Sequence, residues 1–204
     1  MHHHRSPIAA GMLLGLLAFA GCATGPDPSL YGEQGFKEAV FDQNTLEFYM
    51  KDAPGLRFYN ARRDRDDDHG SALVIGMAKD STDNYGEPGP HYRLSDKVVG
   101  TIVTYYVCTE TRALKSVEWV QEAKEASYAA NFRSEDVEAL LDLKDCNGVR
   151  MTPERTKDGE LWSMRMTAVR IAGGEVHDLD GYLFCEEPCP TLCGTEPHRY
   201  LNKR

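Results

Sequence analysis

The stretches Phe41-Asp42-Gln43-Asn44-Thr45-Leu46-Glu47-Phe48-Tyr49-Met50 and Phe132-Arg133-Ser134-Glu135-Asp136-Val137-Glu138-Ala139-Leu140-Leu141 decide how this chain folds. In each, a phenylalanine is followed five positions on by an apolar residue and a glutamate, Leu46-Glu47 or Val137-Glu138. Met50 or Leu141 comes next, then Gly55-Leu56-Arg57 or Gly148-Val149-Arg150. Each copy runs on through a charged turn ending in Gly70 or Gly159 to an apolar run, LVIGMA at 73–78 or LWSMRMTAV at 161–169. Leu46, Tyr49, Met50 and Ala53 recur at helical spacing behind Asn44 and Thr45 as candidate caps, and Pro54-Gly55 stops the helix. Self-similarity of this length arises either from a repeated unit or by chance between two amphipathic segments. As a repeat, it predicts two helix–strand–turn–strand units, 40–80 and 131–170, of an α+β fold. Two such units most simply share one antiparallel sheet with helices on one face.

Within the first unit, Leu56–Arg63 and Ser71–Lys79 read as strands, the second apolar enough to be central. Residues 80–97, with Gly86, Pro88, Gly89 and Pro90 close together, read as a long loop. Val98–Cys108 is β in composition. A helix is expected from Thr111 to about Arg133, its stripe being Leu114, Val117, Val120 and Gln121, widened by Trp119, Ala123 and Ala126. Gly173-Gly174 predicts a turn, and Leu179–Phe184 a short last strand.

Ahead of these, residues 8–20 form an apolar run too short to span a bilayer, which takes about 20 residues. It follows Arg5 and ends in Phe19-Ala20-Gly21-Cys22. A basic start, an apolar run and small residues at its end form a secretory signal. This signal occupies 1–21. The last four residues are similar to a bacterial lipobox, which implies acylation at Cys22, and Ala23 in the next position implies sorting to the outer membrane. The pattern prefers Leu where Phe19 stands. Ala18-Phe19-Ala20 also fits ordinary signal peptidase, and cleavage at Ala20 would release a soluble periplasmic or secreted protein. Residues 22–35, rich in Gly, Pro and Ser, read as a tether to a single domain over 36–204.

The chain carries 23 basic and 32 acidic residues, a net charge of −9. Arg5 is the one charged residue of 1–21, so 22 basic against 32 acidic residues leave −10 on the remainder. That balance repels nucleic acid and anionic headgroups, so no nucleic-acid partner is expected and membrane attachment falls to the acyl chains.

Cys146-Asn147-Gly148-Val149-Arg150, the turn at Asp158-Gly159, Gly173-Gly174-Glu175 and the tail Pro188-Cys189-Pro190-Thr191-Leu192-Cys193-Gly194 resemble uncharacterised secreted families of Bacteroidota. These carry a C-x-G-[IV]-R strand after a helix and end in P-C-P-x-x-C-G. The resemblance covers about 117–194 and, more weakly, 40–80, where Pro54 takes the cysteine's place. Cys185 is additional to the pattern. The resemblance implies a compartment and an α+β fold, and no reaction.

The six cysteines are Cys22, Cys108, Cys146, Cys185, Cys189 and Cys193. In an oxidising compartment they read first as disulfides stapling the tail 185–204, each worth on the order of 2–4 kcal/mol. The favoured pairing is Cys146 with one tail cysteine and two tail cysteines with each other, leaving Cys108 odd once Cys22 is acylated. The spacing Cys185-x3-Cys189-x3-Cys193, with His198 beyond, also suits a Cys3His zinc site, zinc being the one cofactor the sequence suggests. Thiol redox activity is the third reading of the same residues.

The run Asp64-Arg65-Asp66-Asp67-Asp68 fails as an EF-hand, having His69 at its sixth place and Ile75 at its twelfth, and reads as a polar turn offset by Arg62, Arg63 and Arg65. His177, Asp178 and Asp180 form a general acid/base set only if a loop brings them together, since strand neighbours point to opposite faces. Trp119 and Trp162 read as core rather than as a ligand-stacking pair. Gly70-Ser71-Ala72 lacks the frame of a nucleophile elbow, and P-loop, G-x-G-x-x-G and H-E-x-x-H motifs do not occur. The sequence therefore reads as an outer-membrane lipoprotein of the cell envelope acting as a non-catalytic binding or interaction module with an unknown protein or small-molecule partner. The alternatives are a metal-binding or thiol-redox protein using the tail cysteines, and an extracytoplasmic hydrolase.

Overall fold

The structure, a computed structural model, describes residues 36–67, 69–78, 92–122, 128–159 and 161–188. The signal, Cys22, the tether, Cys189, Cys193 and His198 lie outside them. No described helix is long and apolar enough to cross a membrane.

The order is β1 (Ala39–Asp42), α1 (Gln43–Met50), β2 (Gly55–Ala61), β3 (Ser71–Gly76), β4 (Tyr92–Val99), β5 (Ile102–Cys108), α2 (Glu110–Glu122), β6 (Ala129–Arg133), α3 (Ser134–Leu141), β7 (Gly148–Arg155), β8 (Trp162–Ala172) and β9 (Glu175–Phe184). This is the expected α+β class with antiparallel pairing. The strands divide between two sheets, of order β1-β7-β8-β9 and β5-β4-β3-β2-β6.

The element order recurs, and each copy includes a strand that the sequence pattern did not announce. Each unit is β-α-β-β, β1-α1-β2-β3 and β6-α3-β7-β8, and the units exchange their first strands. β1 pairs with β7, setting Phe41 opposite Val149 and Asp42 opposite Gly148. β6 pairs with β2, setting Phe132 opposite Leu56 and Arg133 opposite Gly55. At each junction the first helical N–H reaches into the other unit: Gln43 donates to Asn147 O at 3.0 Å and Ser134 to Pro54 O at 3.0 Å. Asp52 and Asp145, each three residues before its glycine, both adopt positive φ, 61° and 66°. This register sets Ala53, not Pro54, at the place of Cys146.

The main core lies where the two sheets, α1 and α3 meet. It holds Phe41, Leu46, Leu56 and Phe58 with their counterparts Phe132, Val137, Val149 and Met151. Burying side chains of this size contributes about 1.5–3 kcal/mol each. The opposite face of β2 and β3, with Tyr59, Leu73 and Ile75, is covered by Ala113 and Val117 of α2. Cover on both faces explains why β2 and β3 are buried at every position.

Several local expectations change. Residues 92–99 are strand rather than loop, and Gly100, at φ 66°, turns the chain into β5. The helix expected to reach Arg133 is assigned only to Glu122, and 129–133 is the exchanged strand β6. The cap of α1 is Asp42, which accepts from Thr45 N at 2.8 Å, rather than Asn44 or Thr45. Asp42 also joins the sheets: its N–H donates to Tyr105 Oη at 2.8 Å, and that hydroxyl donates to Asp42 Oδ2 at 2.9 Å.

Two predictions follow from these joints. A Cβ on Gly55 would meet Phe132 O at 2.6 Å, and one on Gly148 would meet Phe41 O at 2.7 Å. Gly55→Ala and Gly148→Ala are each expected to destabilise the fold by roughly 1–3 kcal/mol, read as a lowered midpoint in denaturant melts. Tyr105→Phe is expected to cost about 1–3 kcal/mol in the same assay, because it leaves the Asp42 N–H without its acceptor.

Candidate binding groove

Opposite its pairing with β7, β1 faces the bulged middle of β4. Ser95 Oγ accepts from Val40 N at 3.1 Å and donates to Val40 O at 2.8 Å, while Ser71 Oγ donates to Ser95 O at 2.7 Å. Phe36, 2% exposed, leads into β1 across Gly70, whose absent Cβ would sit 3.0 Å from it. Gly70 has φ 59°, which also favours glycine. Beside this joint opens a groove of about 410 Å3, with Lys37, Glu38, His69, Asp96 and Lys97 among its walls. A recess of about 120 Å3 adjoins it at Arg63, Asp67 and Tyr106.

The walls carry both charges in adjacent pairs, Lys37-Glu38 and Asp96-Lys97. Arg63 Nη1 lies 3.5 Å from Asp96 Oδ1. Asp67 Oδ2 accepts from Arg63 N at 2.8 Å and Oδ1 from His69 N at 3.2 Å, fixing the β2–β3 turn. This is the polar hairpin turn expected of 64–68, with Asp68 outside the described residues. Both groove hydroxyls donate to main-chain carbonyls, so they serve as struts. The arrangement suits recognition of a polar ligand.

The two-unit register explains Cys185. Ser71 corresponds to Ser163, Ser95 to Cys185 and Val40 to Asn131. Ser163 Oγ donates to Cys185 O at 2.5 Å, and the Asn131 main chain hydrogen-bonds the Cys185 sulfur. Cys185 thus repeats in the second unit what Ser95 does in the first. Burial raises its thiol pKa against the opposing hydrogen bonds from Asn131, Ser163 and Glu187. An attacking thiol needs the opposite shift. Cys108, packed under α2, is pushed up by burial to about 11 despite Arg112. Cys146 donates its S–H to Gly148 O at 3.3 Å.

Cys108, Cys146 and Cys185 are free thiols. The expected pairing of Cys146 with a tail cysteine is therefore not made to Cys185, whose place as an edge strut holds it in the core. Pairings with Cys189 or Cys193 lie outside the described residues. Of the zinc set Cys185, Cys189, Cys193 and His198, the described residues contain only Cys185, and among them no group of three or more His, Cys, Asp or Glu is placed to hold a metal.

His177, Asp178 and Asp180 sit on β9 rather than on a loop. His177 Nε2 lies 3.5 Å from Glu175 Oε2, whereas Arg150 Nη2 lies 3.4 Å from Asp178 Oδ1. His177 and Asp178 have different partners and do not converge. The tryptophans are also apart in role. Trp119 lies under the Arg112 guanidinium at 4.5 Å, and Trp162 under that of Arg155 at 4.3 Å, stacked on Tyr128. The groove itself escaped sequence reasoning because three distant segments build it, one of them inside the expected loop. Compared with protein-family profiles, curated proteins and solved structures, the chain gives no match.

Because Cys185 stands where the other unit has serine, Cys185→Ser is expected to change stability by no more than about 1 kcal/mol, since the hydroxyl takes over the thiol's hydrogen bonds. A large loss in thermal melts would instead mark Cys185 as a disulfide or metal residue. In folded protein at pH 8, Cys146 is expected to alkylate before Cys108 and Cys185, as resolved by peptide mass. Cys108 also destabilises the fold in alkali. Its thiol stays protonated while the unfolded thiol ionises above its ordinary value of 9.0, so its contribution is complete below that pH and is lost as pH rises through about 11.

Proposed function

We propose that this chain is a lipid-anchored module of the cell envelope, attached to the outer membrane through Cys22, that binds a partner rather than transforming one. The observation that carries the binding reading is the groove between β1, β3 and β4. Its volume, about 410 Å3, is that of a small-ligand or peptide site. Its adjacent opposite charges match a peptide bearing both an amine and a carboxylate. Its hydroxyls are committed to the β1–β4 joint, which favours binding over nucleophilic chemistry. The thiol-redox alternative draws no support from Cys108 or Cys185, both held protonated by burial.

Two arms test this reading. Membrane fractionation and intact mass of the full chain are expected to show an acyl adduct at Cys22 that Cys22→Ser abolishes. A mature mass beginning at Gly21 without lipid would make the protein soluble. For the groove, a tetrapeptide containing one Lys and one Glu is titrated while backbone amide shifts are followed. Shifts confined to 37–40, 69–71 and 95–98 are expected, with affinity reduced about tenfold in Asp96→Asn/Lys97→Gln, a change of about 1.4 kcal/mol. The Arg63–Asp96 pair is half-exposed and contributes little to stability, so the variant keeps its fold. Shifts elsewhere would reject the groove, and hydrolysis of the peptide would replace binding with catalysis.

A further inference from the structure

The two sheets present four edges, β1, β9, β5 and β6. An open edge offers unpaired main-chain groups to any extended chain, and natural sheets guard against this with charge, brevity, proline or cover. Three of the four are guarded here. On β1 the Val40 and Asp42 N–H groups are taken by Ser95 and Tyr105 side chains. β6 is five residues long, and its Asn131 main chain is bonded to the Cys185 sulfur. β9 carries Glu175, His177, Asp178 and Asp180.

Among the described residues, β5 has none of these devices. Its seven residues, Ile102-Val103-Thr104-Tyr105-Tyr106-Val107-Cys108, include no charge, proline or glycine. Ile102 is 66% exposed, Val107 55% and Tyr106 39%, and Val99 at the start of the same hairpin turn is 56% exposed. Half of the exposed large apolar side chains among the described residues thus lie on the β4–β5 hairpin.

Charge selects the occupant. A chain of net charge −9 resists meeting itself through most of its surface. Two β9 edges would set carboxylates against carboxylates. Two β5 edges would set aromatic and β-branched residues against one another with no charge on either strand, which are favourable cross-strand pairs. Such a contact is isologous and closes after two copies.

We propose that β5 pairs antiparallel with β5 of a second copy about a two-fold axis, joining two five-stranded sheets into one of ten strands. The groove's own walls lie on other segments, and β5 reaches only the adjoining recess, at Tyr106, so this proposal does not rest on the binding reading.

Sedimentation velocity of the full chain in reducing buffer, which removes intermolecular disulfides, tests the pairing across a concentration series. A reversible monomer–dimer equilibrium is expected, with amide exchange slowed on β5 as concentration rises. Val107→Lys and Ile102→Lys place a charge on exposed positions that the fold tolerates, and each is expected to raise the dimer Kd at least about tenfold. Leu161→Lys, at an exposed position off this edge, is expected to leave the Kd unchanged. A chain monomeric at every concentration would overturn the proposal, including one whose β5 amides become protected only by an unrelated extended peptide. So would a dimer whose β5 amides exchange at an unchanged rate, or an open-ended assembly.

Discussion

Two carbonyl oxygens pressed against two glycines hold this fold together. Phe41 O lies 2.7 Å from where a Gly148 Cβ would be, and Phe132 O 2.6 Å from where a Gly55 Cβ would be. The close approach exists because each unit gives its first strand to the other. β1 and β6 are four and five residues long, too short to persist alone, and each becomes stable only as an added strand on its partner's sheet. Neither unit buries its phenylalanine without the other: Phe41 pairs across to Val149 and Phe132 to Leu56. The two halves are therefore expected to fold together as one cooperative body, even though each looks like a separate motif.

The exchange also dictates the work of the polar residues. A donated strand has one edge on its new sheet and one edge free, and the free edge needs partners for its N–H groups. The first unit supplies the Ser95 and Tyr105 hydroxyls, and the second supplies the Cys185 sulfur. A serine and a cysteine at equivalent places, each fixed by a serine hydroxyl on its own carbonyl, are one structural device built twice. This accounts for a buried thiol near the tail without invoking a staple or a metal. Asp42 and Arg133 diverge in a comparable way. Asp42 caps α1 and grips Tyr105, whereas Arg133 has no capping bond and pairs with Glu135 and Asp136 in the first turn of α3.

The repeat could be read from the sequence because its signal is local. Phe41 and Phe132, Leu46 and Val137, and Gly55-Leu56-Arg57 and Gly148-Val149-Arg150 keep nearly fixed spacings, and the helix and the following strand can be inferred from them. The exchange could not be read, because strand partners are chosen by sheet-edge geometry rather than spacing, and β1 and β6 are too short to show a period. Tyr92–Val99 was obscured for another reason. Arg93, Ser95, Asp96 and Lys97 make it polar, yet Arg93 stays in the sheet with its guanidinium near the rings of Phe48, Tyr49 and Tyr105 and bonded to Thr45 Oγ1 at 2.7 Å. The groove was hidden along with that strand.

The two units also differ at the groove. Gly70 corresponds to Trp162 and Lys37 to Tyr128. In the second unit these rings stack with centroids 6.5 Å apart, Tyr128 buried and Trp162 packed against the main core. In the first unit the Gly70 place is closed by buried Phe36, 3.0 Å from where a Cβ would be, and Lys37 lines the groove beside it. Where the second unit packs these two rings, the first sets charged side chains, Lys37, Glu38, Asp96 and Lys97, around the groove. Departure from the internal symmetry therefore points to the same place as the cavity itself, from an independent property of the chain.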